Sequence, residues 1–329
     1  NVGTDTAKVI VTGKGNYTGT KEKTFEITPA IITITPDAKT KVFGADDPAL
    51  TYAATGAVNG ETPVISGKLI RAAGEVVGTY AISNSDGEDA LALGNGADGN
   101  AFLAANYTLA FTPDATFAIT AKPLDDAFTI ADIAPLTYTG VAQKPEPVVT
   151  DGDDTLVLGT DYTLSYANNT NAGTATVTVK GKGNYTGTKD KTFTIGKATL
   201  TVAPNANQSK VFGAADPALT YMQPVAQNGE TPKIAGALSR EKIGEDGGEA
   251  VGTYAITLGT LALGDNGAFK AANYTLALAT YEEPAVAPTF AITAKPASTL
   301  TIDDIAPLTY NGVAQKPEPV VTDGDDTLV

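Results

Sequence analysis

The chain has 329 residues, a formal net charge of −15 and a pI near 4.4, with 42% hydrophobic and 18% charged residues. So acidic a surface repels nucleic acid, whose binding needs a basic stripe, and no apolar run is long enough to span a bilayer as a helix. The absence of both histidine and cysteine removes imidazole acid–base chemistry, cysteine and Ser–His nucleophiles, and His- or Cys-ligated metals.

In chain order, the first recognisable segment is GKGNYTGTKEKTFEI at 13–27, which returns as GKGNYTGTKDKTFTI at 181–195. KVFGADDPALTY at 41–52 returns as KVFGAADPALTY at 210–221, VGTYAI at 77–82 returns at 251–256, and AANYTLA at 104–110 returns at 271–277. IAPLTYTGVAQKPEPVVTDGDDTLV at 133–157 returns at 305–329 with Asn311 in place of Thr139. Two repeats therefore alternate with an offset of about 170 residues. The expected division is the tail of a type A module (1–28), a type B module (29–121), a complete A (122–196), a second B (197–294) and the head of another A (295–329).

Both types read as strands. Segments 174–181, 191–195, 198–204, 252–259 and 273–280 alternate apolar residues with Thr or small polar ones, the period-2 pattern of a half-buried strand. Asp151-Gly152, Gly183-Asn184 and Asn228-Gly229 supply tight turns. No 3.6-residue stripe persists, so helix is expected for a turn or two at most. The expected fold is all-β: a tandem array of small β-sandwich, Ig-like modules, A and B alternating end to end, with a mixed sheet or partly opened sandwich as the other option for B. Each module closes on Phe-x-Ile (25–27, 117–119, 193–195, 290–292). The joints TPA (28–30), TAKP (120–123), GKA (196–198) and TAKP (293–296) are too short to swivel, which predicts a stiff extended array.

With these residues in view, module B resembles the MBG domain of the YGX type. In the second copy the resemblance rests on Lys210, Phe212-Gly213, Asp216-Pro217, Leu219-Thr220-Tyr221, the stretch Gly236–Glu241, Val251–Ile256, Asn273–Leu276 and Phe290–Ile292. Phe43 and Phe212 stand where that family usually has Tyr, and the first copy lacks the Glu after Arg71. Module A resembles the bacterial immunoglobulin-like repeats that carry GNYTGT. The resemblances imply a large bacterial surface protein of adhesin type, located at the cell surface or in a secreted filament, and the lack of cysteine agrees with bacterial export.

The sequence offers few sites. Asp151, Asp153 and Asp154, their copies Asp323, Asp325 and Asp326, and the pairs Asp125-Asp126 and Asp303-Asp304 could supply oxygen ligands to Ca²⁺, the one cofactor the residues suggest. A solvated Asp-Gly turn is the simpler reading, since the spacing is not that of an EF-hand. Arg71 and Arg240 are expected to form structural ion pairs with Glu75 and with Glu241 or Glu249. Tyr52, Tyr80, Tyr107, Phe117, Tyr221, Tyr254, Tyr274 and Phe290 are expected to anchor cores. The Asn-Tyr-Thr triplets at Asn16, Asn106, Asn184 and Asn273 fit a glycosylation acceptor, or else shape turns and strand starts.

The function expected is therefore non-enzymatic: a structural repeat segment of an extracellular bacterial fibre or adhesin stalk. Its partner would be itself, as neighbouring repeats or filament subunits, with multivalent binding of a glycan or host surface protein as the alternative. Asn1 aligns with Asn171 and Val329 with Val157, so the sequence is expected to be a window on a longer polymer. The partial A modules would be continued along the same polypeptide or completed by strand addition from a neighbouring chain.

Overall fold

The computed structural model describes residues 2–97, 101–242, 244, 247–281 and 287–328. It is almost entirely β: 45% strand, no helix of seven residues or more among the described residues, and several sheets in sandwich-like arrangements, consistent with tandem β domains. The helical turns described are single 3₁₀ turns such as Ala104–Asn106 and Ala271–Asn273. The chain divides into two compact units, one of residues 1–131, 146–165 and 177–191, the other of 132–145, 166–176 and 192–329. Residues of the middle A repeat thus belong to both units.

In the first unit, the B repeat is built from two main sheets. Ala30–Pro36 lies between Tyr107–Phe111, which it meets in parallel from Ala30↔Tyr107 to Ile34↔Phe111, and Tyr52–Thr55, which it meets antiparallel. The other sheet runs Lys39–Val42, Thr116–Thr120, Gly78–Asn84, Leu69–Arg71, with its first pair parallel. The mixed pairing explains why the sequence leaves B open between a sandwich and a mixed sheet. Alternation does the rest: Ile32 and Ile34 point inward while Thr33 and Thr35 do not, and the inward set meets Leu69, Ile82, Phe117 and Ile119 in one core. Burying a side chain such as Phe117 contributes roughly 1.5–3 kcal/mol.

The same unit holds the hairpin pair Gly3–Thr12 and Thr20–Ile27, with an irregular register between Gly3 and Ala7. It also holds the sheet Phe128–Ile130, Val149–Asp151, Asp154–Thr155. Asp151 faces Asp154 across a two-residue turn, and Gly152 takes the positive φ of 59° that such a turn needs. The joint between repeats is hydrogen-bonded rather than free. Lys122–Pro123 pairs in parallel with Tyr185–Thr186, and the N–H groups of Lys122 and Leu124 donate to the carbonyls of Asn184 (2.9 Å) and Thr186 (2.8 Å).

The second unit repeats the B plan. Ala198–Pro204 runs parallel to Tyr274–Leu278 and antiparallel to Tyr221–Met222. The opposing sheet runs Gln208–Val211, Thr289–Thr293, Gly252–Thr257, Ser239–Arg240. Val202, Leu238, Tyr254, Ile256, Phe290 and Ile292 fill the core. Leu136–Thr137 joins Ile195–Gly196 in parallel. Thr301–Ile302, Val321–Asp323 and Asp326–Leu328 form a further small sheet.

Candidate functional site

Two constellations recur in the copies of B. One is an ion quartet. In the first copy, Lys41 Nζ lies 2.6 Å from Asp47 Oδ1 and 2.5 Å from Glu75 Oε2, and Arg71 Nε lies 2.6 Å from Asp47 Oδ2 while its Nη2 also reaches Glu75. In the second, Lys210 is 2.8 Å from Asp216 and also paired with Glu249, while Arg240 meets Asp216 at 3.0 Å and Glu249 at 2.5 Å. The remaining Arg donors go to backbone carbonyls, Gly74 in one copy and Gly248 in the other. Each guanidinium lies over two rings, Tyr80 and Phe117 (5.3 and 5.0 Å) or Tyr254 and Phe290 (5.2 and 5.7 Å).

The strands explain the placement. Lys41 and Lys210 are the inward positions of short strands, and the Asp-Pro loop and the stretch before Gly78 or Gly252 bring the acids over them. In each copy two largely buried cations face two more exposed anions and make a neutral set, which is what lets charge sit against a core. Hydrogen bonds from Arg71 and then Lys41 pull the Asp47 carboxyl down to about 2, and Asp47 in turn raises Lys41 and Arg71. Burial works to raise Asp216, but Lys210 and Arg240 outweigh it and hold the acid low. The four charged side chains of each quartet are paired with one another within their own repeat.

The ion pairs expected for Arg71 with Glu75 and for Arg240 with Glu249 are formed; Glu241 offers its carbonyl instead. Sequence reading missed Lys41, Lys210, Asp47 and Asp216. Their signal was present in the fixed spacing of Lys and Asp-Pro in both copies.

The second constellation lies where repeats meet. In the second unit, the Asn273 amide, buried to 1% exposure, accepts the Ala172 N–H (2.9 Å) and donates to Asn171 Oδ1 (3.0 Å). Next to it, the hydroxyls of Tyr138 and Tyr274 donate to the two oxygens of Glu230 at 2.5 and 2.8 Å, and the rings meet edge to face at 5.4 Å. Burial, reinforced by Glu230, raises both phenols above their ordinary value. Asn228, at a left-handed φ of 50°, donates to the Gly140 carbonyl.

In the first unit, Asn106 Oδ1 accepts the Val2 N–H at 3.0 Å, and Tyr107 donates to Glu61 at 2.8 Å. Asn184 accepts the Val77 N–H at 2.9 Å, and Tyr185 packs edge to face between Phe43 and Phe128, 5.5 Å from each. Three of the four Asn-Tyr-Thr asparagines therefore bind a backbone group of the adjacent repeat. Phe43, where the YGX pattern has Tyr, serves that contact.

The acidic clusters are placed otherwise. Asp151 is held by Lys122 (2.6 and 2.7 Å) and Asp323 by Lys295, while Asp153, Asp154, Asp325 and Asp326 lie exposed in their turns or the strands beside them. Among the described residues, no three or more acidic side chains come together as a group that could hold a metal ion. Of the aromatic residues expected as anchors, Tyr107, Phe117, Tyr254, Tyr274 and Phe290 are buried, and Tyr52, Tyr80 and Tyr221 are half-buried against the same cores.

No curated protein matches the chain. The family model of the MBG domain (YGX type) matches residues 32–118 and 200–281, together just over half of the sequence, and covers both ion quartets. With that match and the quartet repeated in each copy, the chain belongs to the MBG domain (YGX type) family.

Proposed function

We propose that the chain is a structural repeat segment of an extracellular bacterial surface fibre or adhesin stalk, in which B modules of the MBG type alternate with immunoglobulin-like GNYTGT modules. The observation that carries this reading is the repeated junction contact: Asn106 on Val2 in one unit and its counterpart Asn273 on Ala172 in the other, with Asn184 on Val77 at the joint between them. Conserving chemistry at the joints is what a load-bearing or spacing element needs, whereas an enzyme would concentrate it around a cleft. Two further facts support it. MBG domains typically occur in surface-exposed proteins and are in general non-enzymatic. The most buried charged groups, Lys41, Lys210 and Arg240, are neutralised within their own module.

Immunogold electron microscopy of source cells with antibody to the purified chain tests the reading. Label along fibres or on the outer surface is the expected result; label confined to the cell interior would overturn it.

A further inference from the structure

Each B repeat receives the chain through its first strand and passes it on through its last. In the first copy these are Ala30–Pro36 and Thr116–Thr120; in the second they are Ala198–Pro204 and Thr289–Thr293. A pull along the chain therefore acts on the N-terminal end of the one and the C-terminal end of the other. In an antiparallel pair those two ends lie together, and the hydrogen bonds between the strands break one after another. In a parallel pair they lie at opposite ends of the ladder, and all its bonds are loaded at once.

Both copies place parallel ladders in this path. Ala30–Ile34 pairs in parallel with Tyr107–Phe111 over five residues, and Lys39–Val42 with Phe117–Thr120 over four. Ala198–Val202 pairs with Tyr274–Leu278 over five, and Gln208–Val211 with Phe290–Thr293 over four. The second ladder of each copy is extended by the same two bonds. The N–H groups of Phe43 and Phe212 donate to the carbonyls of Thr120 and Thr293 at 2.8 Å, and those threonine hydroxyls donate to the carbonyls of Lys41 and Lys210 at 3.2 Å. By contrast, the parallel pairs of the middle A repeat, Lys122–Pro123 with Tyr185–Thr186 and Leu136–Thr137 with Ile195–Gly196, are two residues long.

The ion quartet acts on the second ladder. Lys41 and Lys210 are the inward residues of Lys39–Val42 and Gln208–Val211, and each ammonium is held by two acids from loops outside that ladder: Asp47 and Glu75, or Asp216 and Glu249. A slip of one residue along the ladder would turn the lysine to the other face and part it from both acids.

We propose that each B repeat is a mechanical clamp. Its two parallel ladders resist a pull along the chain in shear, and the quartet lysine locks the second ladder in register. The use of such a clamp rests on the surface-fibre reading, but the two fail separately. A repeat that yields easily leaves the surface location standing, and label confined to the cell interior leaves the clamp standing.

Single-molecule force spectroscopy of the full chain tests this. The sequence has no cysteine, so introduced cysteines fix the points of attachment. Handles at the two termini load both B repeats through their parallel ladders, and each is expected to unfold in a single step that releases about 30 nm of chain. Moving the first handle to Ala73→Cys, an exposed position, changes the loading of the first repeat alone. The pull then acts beside Gly78 and Ile119, partners at one end of an antiparallel ladder, and opens it pair by pair. The first repeat should now yield in a shorter step of about 15 nm, at no more than about half the force of the second. Lys41→Met, whose folding a thermal melt checks, should lower the force of the first repeat with terminal handles and change it little with the Ala73→Cys handle. Equal forces for the two repeats with the Ala73→Cys handle would overturn the clamp. No loss in Lys41→Met, or the same loss in both attachments, would overturn the role given to the quartet.

Discussion

Asn184 Oδ1 accepts a hydrogen bond from the backbone N–H of Val77, 107 residues earlier, at 2.9 Å. Asn273 does the same for Ala172 across 101 residues, so one triplet serves the joint on both sides of the middle repeat. An amide side chain suits the task because it accepts from a backbone N–H without carrying charge into the contact.

Asn273→Ala leaves the Ala172 N–H and Asn171 without their buried partner, at a cost of about 1–3 kcal/mol. Hydrogen exchange is expected to show the Ala172 amide losing protection at least about tenfold, with the amides of Ala198–Pro204 little changed. Equal loss across that strand would mean Asn273 supports the whole module and not its joint.

Arg240→Ala strips the quartet of its most buried cation and leaves Asp216 and Glu249 facing Lys210 alone. Breaking a buried ion network of this kind is expected to lower the melting temperature by roughly 10 °C or more. Arg240→Lys is expected to recover only part, since an ammonium cannot hold Asp216 through two nitrogens and lie flat on Tyr254 and Phe290. Differential scanning calorimetry reads both.

Acid should find the quartets. Asp47 is lowered from 3.8 to about 2, and Glu75, Asp216 and Glu249 are also lowered. Depressed carboxyl values contribute stability that is present above the unfolded value and lost as pH falls through the folded one. Urea midpoints are therefore expected to hold down to about pH 4 and to fall between there and pH 2. Replacing Asp47 and Asp216 with Asn should lower stability at pH 7 and flatten that slope.

The two Leu-Thr-Tyr-x-Gly segments should respond differently to one methyl group. A Cβ at Gly140 would meet the Asn228 Cβ at 2.5 Å, while nothing lies within 4 Å of the same atom at Gly312. Both glycines have positive φ, so each alanine variant bears a backbone cost of about 1–2 kcal/mol. Only Gly140→Ala adds a collision in the joint. At micromolar concentration it is expected to lower the melting temperature clearly more than Gly312→Ala; equal shifts would show that strain alone acts.

Much of the fold could be read from the residues. Thr-rich alternation from 198 to 204 and from 252 to 257 is a local property that the pleat converts directly into one buried face, and these are strands Ala198–Pro204 and Gly252–Thr257. Repetition exposed the two alternating sequence repeats, because duplicated sequence needs no contact information to be seen. Arg71 and Arg240 were legible as ion-pair residues because cations are scarce among so many acids.

What the sequence could not determine is which distant groups converge. Lys41 and Asp47 look like two surface charges in a polar loop until the sheet turns Lys41 inward. Glu61 and Glu230 follow an Asn-Gly turn and look solvated until a tyrosine hydroxyl from another strand arrives. The Asn-Tyr-Thr triplets read as turn formers or glycosylation acceptors because a hydrogen bond spanning about a hundred residues leaves no local pattern. Composition and period therefore determined where the strands lie along the chain, which depends on near neighbours. Tertiary structure alone decided the quartets and joints, since burial and long-range geometry give those same residues their partners.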